Sequence, residues 1–381
     1  MKKNAIVIVL VLIALAAVFA IIQKQRSAAV TGTTVLVIAP LTGPGAALGA
    51  SSQLGMRLAL DDLGQKSAHL KLNFQDSKTD PKTALTLLAS REIHANSRIV
   101  ISEMSQVTRA LVQPAQEHNV LLLATAVGVP KIGQGSTNFV RVNIMSDAIA
   151  PPLARFAAKQ HTKIAILHLN DDYGRANRDL FKKTYEAAGG TVVLIEPFET
   201  DPAIVGTLVA KVRASGTSAC FVAGYGPAYP VIFRAFKELA PSIQLYADIG
   251  LANAPVFRAV GTAAEGVFLA ATDIDEFPAT TQPGKALFEK FSRTKPGERP
   301  DYIVAFSYDT ITVLADALGA VPSGDPHLLR EYLLKKQFNG LGGRFHFDPN
   351  TGDSIYDDLA IFKVQSGHIL RVSNASTKES R

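Results

Sequence analysis

Cysteine is almost absent from this chain of 381 residues, and the single one, Cys220, lies in the apolar stretch Ser218-Ala-Cys-Phe-Val-Ala223. No intrachain disulfide can form, so stability must come from burial. Cys220 itself reads as a small apolar residue in a strand. No cysteine stands near the N-terminus, so a lipid-anchored lipoprotein is not expected. The eight histidines never fall at a metal-ligand spacing such as H-E-x-x-H, so no metal is expected. A G-x-S-x-G elbow, an S-x-x-K set and a Cys/His pair with local context are all missing, which argues against an enzyme. Acids are missing from residues 1–30, where Lys2, Lys3, Lys24 and Arg26 supply +4 of the formal net charge of +6. The rest is nearly neutral and carries no Lys/Arg stripe with interleaved aromatics, so nucleic acid is not an expected partner.

What is present begins with a leader. Residues 5–22 contain no charged or polar side chain and are flanked by lysines. They read as a secretory signal or an uncleaved anchor, since such a run, at about 1.5 Å per residue, just crosses a hydrocarbon core. The expected location is periplasmic or otherwise extracytoplasmic, with or without anchoring to the inner membrane.

Beyond residue 30, short apolar runs alternate with helical patterns. Runs at Thr34–Ala39, Leu70–Phe74, Arg98–Ile101, Val120–Ala124, Lys163–Leu169, Thr191–Ile195, Ala219–Ala223, Gln244–Ala247 and Gly266–Ala271 read as strands. Helix starts are marked by Asp80-Pro81 and Asp201-Pro202, and Gly189-Gly190 gives a stop. The fold class is therefore α/β, with parallel sheets covered by helices. The length exceeds what one core usually organises. Two Rossmann-like lobes are expected: residues 31–144 with 273–341, and residues 145–272 with 342–372, followed by a polar tail, 373–381. Crossings near Val142–Asp147, Ala271–Asp275 and Gly340–Gly343 make a three-crossing hinge. Gly343–Phe347 and Asp357–Val364, with Asp348-Pro-Asn-Thr-Gly352 between them, read as a hairpin.

Several motifs invite sharper readings that their details oppose. Gly43-Pro-Gly-Ala-Ala-Leu-Gly49 is one residue too long for the dinucleotide fingerprint, and Pro44 removes a backbone donor. It is read as a tight turn facing a cleft. The segment Asp348–Asp353 lacks the glycine and glutamate that a calcium loop needs. The pairs Asp61-Asp62, Asp171-Asp172 and Asp357-Asp358 are read as solvated or helix-capping acids.

The order and spacing of Pro40-Leu-Thr-Gly-Pro44, Asp76, Asp80-Pro81, Ser105, Asn170-Asp-Asp-Tyr-Gly-Arg175, Gly224-Tyr225, Tyr308-Asp309 and Phe338-Asn-Gly-Leu-Gly342 carry a resemblance. From about Val35 to Arg371 the chain resembles type I periplasmic binding proteins of the branched-chain amino acid (leucine/isoleucine/valine-binding) group. The resemblance implies a clam-shell that closes on a small polar ligand, an amino acid or analogue, and delivers it to the membrane subunits of an ATP-driven (ABC) importer. No cofactor and no second copy are implied. By position, it implies that Ser105 meets a ligand carboxylate, that Ala126 supplies a carbonyl, that Tyr173 and Tyr225 form the lid, and that Asp248 pairs with a ligand ammonium. Gly128 stands where the family places threonine, which removes a hydroxyl from the ligand shell unless Thr125 or a water replaces it. A ligand sensor or envelope scaffold of the same fold is the alternative.

Overall fold

Apolar, β-branched runs become the strands of one parallel sheet and of a second that is parallel except for two antiparallel strands at one edge, and amphipathic segments between them become the helices. The computed structural model describes residues 32–91, 98–199, 201–272, 300–357 and 359–374, with residues 287, 289, 291 and 293 in between. The leader, the tail beyond residue 374, most of the loop that the sequence suggests over 272–283 and most of the helix it suggests over 284–293 lie outside the described residues.

The first sheet is built from β1 (Thr33–Ala39), α1 (Ala46–Leu63), β2 (Leu70–Asp76), α2 (Pro81–Ala89), β3 (Ile99–Ser102), α3 (Ser105–Glu117), β4 (Leu121–Ala124) and β5 (Phe139–Arg141). Its strand order is β2-β1-β3-β4-β5, and every pairing is parallel. The chain then crosses to α4 (Ser146–Ala158), β6 (Lys163–Leu169), α5 (Asp172–Ala187), β7 (Thr191–Phe198), α6 (Pro202–Ala214), β8 (Ala219–Ala223), α7 (Ala228–Leu239), β9 (Gln244–Ala247), α8 (Ala254–Val260) and β10 (Phe268–Ala271). The expected caps form: Asp80 accepts from Thr83 N at 2.8 Å, and Asp201 accepts from Ala203 N at 2.9 Å.

The chain returns as α9 (Tyr302–Ala320), α10 (Pro326–Leu334) and a three-stranded sheet, β11 (Gln337–Gly340), β12 (Gly343–Phe347) and β13 (Ser354–Tyr356). It ends with β14 (Ala360–Gln365) and β15 (His368–Asn374), which complete the second sheet in the order β15-β14-β10-β9-β8-β6-β7. Among the described residues, α9 alone is long and apolar enough to cross a membrane, yet 78% of that window is buried inside the fold. It is a core helix packed on α1, so closely that a side chain at Gly55 would strike the Val304 carbonyl.

Two expectations near the C-terminus need correction. Across the turn at residues 348–352, β12 pairs with β13, not with the expected strand at 357–364; Ala360–Gln365 instead form β14 on the second sheet. The expected boundary between residues 341 and 342 falls in the turn joining β11 to β12. Asp309 of α9 accepts from Leu341 N at 2.7 Å and from Gly342 N at 2.9 Å, which fixes that turn to the first lobe. Phe306 of α9 and Tyr356 of β13 stack there as well, with ring centroids 5.2 Å apart. Residues 342–356 therefore pack with the first lobe, and the third crossing lies between Tyr356 and Ala360. The turn between β12 and β13 is an Asx turn, with Asp348 Oδ1 accepting from Asn350 N and Thr351 N.

Candidate functional site

The C-terminal ends of the strands in both sheets face one another, and the loops leaving them enclose a pocket. The glycine-rich turn after β1 forms one rim, and a carboxylate, not a phosphate, occupies its amides. Asp76 at the end of β2 accepts from Leu41 N at 2.9 Å, Thr42 N at 3.2 Å and the Thr42 hydroxyl at 2.6 Å. Partial burial works against its charge, but these hydrogen bonds prevail and hold the Asp76 carboxyl below its ordinary range. Across the gap, a side chain at Gly226 would meet the Pro44 carbonyl at 2.6 Å. The lobes are closed on each other.

Other contacts seal the closure. Arg109 of α3 donates to Asp172 of α5 at 2.9 Å. Asn253, just before α8, donates to Asp301, the cap of α9, at 2.8 Å. Thus Asp172 is an interlobe ion-pair partner, whereas Asp171 caps α5 by accepting from Gly174 N at 2.8 Å.

Five of the six residues expected from the sequence line the enclosed space: Ser105, Ala126, Gly128, Tyr173 and Tyr225. Ser105 is the first residue of α3 rather than its cap, and its hydroxyl accepts from Val129 N at 3.3 Å. Met104 and Ala126 both adopt positive φ, 69° and 54°, and are joined by a hydrogen bond from Met104 N to Ala126 O at 3.3 Å. Left-handed backbone in residues with a Cβ is strained and concentrates at functional sites. That bond, however, occupies the Ala126 carbonyl expected to serve the ligand. Thr125 does not stand in for the missing threonine, because its hydroxyl lies 3.5 Å from Ser307 in the core.

Gly128 is explained by the opposite lobe. A Cβ there would lie 2.5 Å from Tyr173 Cε2, so the Tyr173 ring fills the space of the absent side chain. Tyr225 packs edge-on against Tyr173 at 5.9 Å between centroids and donates its phenol to Asp171 at 2.6 Å. Burial pushes both phenols above their ordinary range.

Asp248 is not part of the lining. Its carboxylate accepts from Tyr229 Oη, Gly250 N and Gly224 N, each at 2.8 Å. Burial pushes it up to about 7, against those hydrogen bonds. It ties the loops after β8 and β9 together and has no oxygen turned to a ligand, contrary to the ammonium role expected for it.

Sequence reasoning missed Gln106, Asn143, Ser146 and Tyr302, which complete the polar and aromatic lining. Ser146 opens α4 as Ser105 opens α3, and that parallel was visible in the sequence. Neither helix has a side-chain cap, so both present first-turn amides without intrahelical partners. Ser146 Oγ, Asn143 Oδ1 and Gln106 Oε1 are buried with no hydrogen-bond partner. Leu48, Met104, Ile144, Ile149, Ile249 and Ile303 form the rest of the lining of a cavity of about 30 Å³. No lining residue is charged. Among the described residues, no cluster of His, Cys, Asp or Glu suits a metal.

A family model described as periplasmic binding protein matches residues 32–368. The chain belongs to that family. Its members are binding proteins rather than enzymes, and they work outside the cytoplasm. The leucine-, isoleucine-, valine-, threonine- and alanine-binding protein of Pseudomonas aeruginosa is 24% identical over 337 residues, 86% of this chain and 89% of that one. An ABC-transporter solute-binding protein of Rhodopseudomonas palustris, in complex with 3,4-dihydroxybenzoic acid, superposes with a TM-score of 0.82 at 19% identity, over 90% of this chain and 97% of that one. The branched-chain amino acid binding protein LivJ of Streptococcus pneumoniae, in complex with isoleucine, gives 0.78 at 18% identity, over 90% and 100%. At these identities the two structures establish a common fold.

Proposed function

We propose that this periplasmic binding protein captures a small carboxylate in the interlobe pocket and delivers it to the membrane subunits of an ABC importer. One observation carries the reading: the uncapped N-termini of α3 and α4 meet in a closed, uncharged pocket beside the unpartnered hydroxyl of Ser146. Helix N-termini supply amide donors and a positive dipole end, which suit a carboxylate without a cationic side chain. The contacts come from both lobes, so a ligand shifts the population toward the closed form, the form that an importer recognises. The solved neighbour bound to dihydroxybenzoic acid and the one bound to isoleucine both hold carboxylates within this fold. Residues 5–22 export the chain or hold it near its importer, and it acts as a monomer.

A thermal-shift screen of the protein against carboxylic acids, amines and sugars tests the reading. A ligand at about a hundredfold excess over Kd adds roughly 2.7 kcal/mol of stability. Acids should give the shifts, and replacing Tyr173 and Tyr225 by alanine should abolish them. Shifts from sugars or amines alone would overturn carboxylate capture.

A further inference from the structure

We infer that the guest is a carboxylic acid without an amino group. This deepens the carboxylate reading and rests on it. An α-amino acid brings an ammonium group into the closed cleft, and such a charge is stable there only with an anionic partner. No acid lines the pocket. Asp248 turns its oxygens to Gly224 N, Gly250 N and Tyr229 Oη. Asp171 serves the Tyr225 phenol and Gly174 N. Glu103, just before Met104, is fully buried behind the pocket and outside its lining; Oε1 accepts from Ser52, Oε2 has no partner, and burial, which pushes the carboxyl up to about 8, keeps it protonated and neutral.

The one position where a neutral hydroxyl is expected to assist an ammonium, residue 128, is a glycine covered by the Tyr173 ring. The unpartnered oxygens of the lining are neutral: Gln106 Oε1 and Asn143 Oδ1 belong to amides and Ser146 Oγ to a hydroxyl. They match a neutral hydroxyl on the guest, whereas an ammonium facing them keeps an unbalanced charge. Five aliphatic side chains, Leu48 and four isoleucines, with Met104 and three tyrosines, enclose the remainder. An apolar or aromatic body fits that wall.

Calorimetric titration of the protein with matched pairs decides the matter. L-leucine is compared with isocaproate and L-phenylalanine with phenylpropanoate, each pair differing only in the amine, and para-hydroxybenzoate is added as a hydroxylated ring acid. In each pair the amine-free acid should bind at least about tenfold more tightly, the discrimination expected when one buried charged group goes unpartnered. Equal or tighter binding of either amino acid overturns the inference and leaves carboxylate capture standing. Binding by none of the five acids overturns both, and a response to sugars or simple amines in the thermal screen then identifies the failure as that of carboxylate capture itself.

Discussion

A methyl group at residue 128 tests how the cleft closes. The Cβ of Gly128→Ala would stand 2.5 Å from Tyr173 Cε2, 3.1 Å from Cδ2 and 3.6 Å from Ser146 Oγ. Only the last is an ordinary contact, and the first is about 1 Å inside the optimal carbon separation. The ring has little freedom to retreat, because Tyr225 packs against it and is itself bound to Asp171. Gly128 and Tyr173 belong to different lobes, so the overlap exists in the closed form and vanishes on opening. Overpacking of this kind costs about 1–3 kcal/mol. Placed wholly on the closed form, it lowers apparent ligand affinity by about 5- to 150-fold. The backbone at 128 is not left-handed, so alanine itself is tolerated there. The ligand-free Tm should therefore change little. Titration calorimetry with the best-binding acid measures the affinity, and small-angle scattering with the same acid measures how far the molecule contracts. Wild-type affinity together with full contraction would refute the assignment of Tyr173 as the group that makes residue 128 a glycine. A ligand-free Tm that falls as steeply as affinity would show that the clash is not confined to closure.

Arg141, fully buried at the end of β5, donates to Asp353 at 3.0 and 2.6 Å and to the Val127 and Val129 carbonyls at 3.2 and 2.6 Å. Arg141→Met strands Asp353 and the Val129 carbonyl, the Val127 carbonyl keeping its bond from Asn143 Nδ2 at 3.1 Å, and should cost about 3–5 kcal/mol in urea unfolding; a loss below about 1 kcal/mol would show that the pair is dispensable. Burial pushes the Glu103 carboxyl up to about 8, partly opposed by the hydrogen bond from Ser52, so the folded state keeps a proton that the unfolded chain releases. Stability from this group is full at low pH and is lost as pH rises from about 5 to about 8. Asp248 and Asp309, each pushed by burial to about 7, slope the same way. Glu103→Gln should make the fall in Tm over that interval shallower, and an unchanged slope would mean that Glu103 is ionised in the fold.

Strands with a continuous apolar run between turn residues were legible because burial on both faces of a parallel sheet demands such runs. Lys163–Leu169 and Ala219–Ala223 were delimited to the residue. Strands β11, β13 and β15 were not. They are short or edge elements with half-polar sequences, and what holds them is tertiary. The β11–β12 turn hangs on a carboxylate thirty-two positions earlier in the chain, Asp309 bonding Leu341 N. No local pattern encodes that pairing, and this displaced the third hinge crossing by more than a dozen residues. Helix starts fared better where an aspartate caps them. At α3 and α4 no side chain does so, and no comparable signal marks their starts at Ser105 and Ser146.

The same contrast governs the pocket. Spacing along the chain located loops correctly, because strand ends in an open α/β sheet converge on the cleft wherever the strands themselves are placed. Ser105, Ala126, Gly128, Tyr173 and Tyr225, which the family resemblance had pointed to, lie in such loops and border one space. Spacing is silent on which way a carboxylate turns once it arrives. Asp248 lies in the right loop, yet its oxygens meet two backbone amides and a tyrosine of its own lobe at 2.8 Å. An acid so placed organises loops and is unavailable to a guest. The departure that was visible in the sequence, glycine in place of threonine, and the one that was not, an acid turned inward, remove the two partners an ammonium would need. Tyr173 links them: its ring covers Gly128, and the Asp248 charge is near enough to help raise its phenol. Closure and ligand class thus depend on one side chain, so a variant that restores threonine at 128 must also displace Tyr173 before an amine can be accommodated.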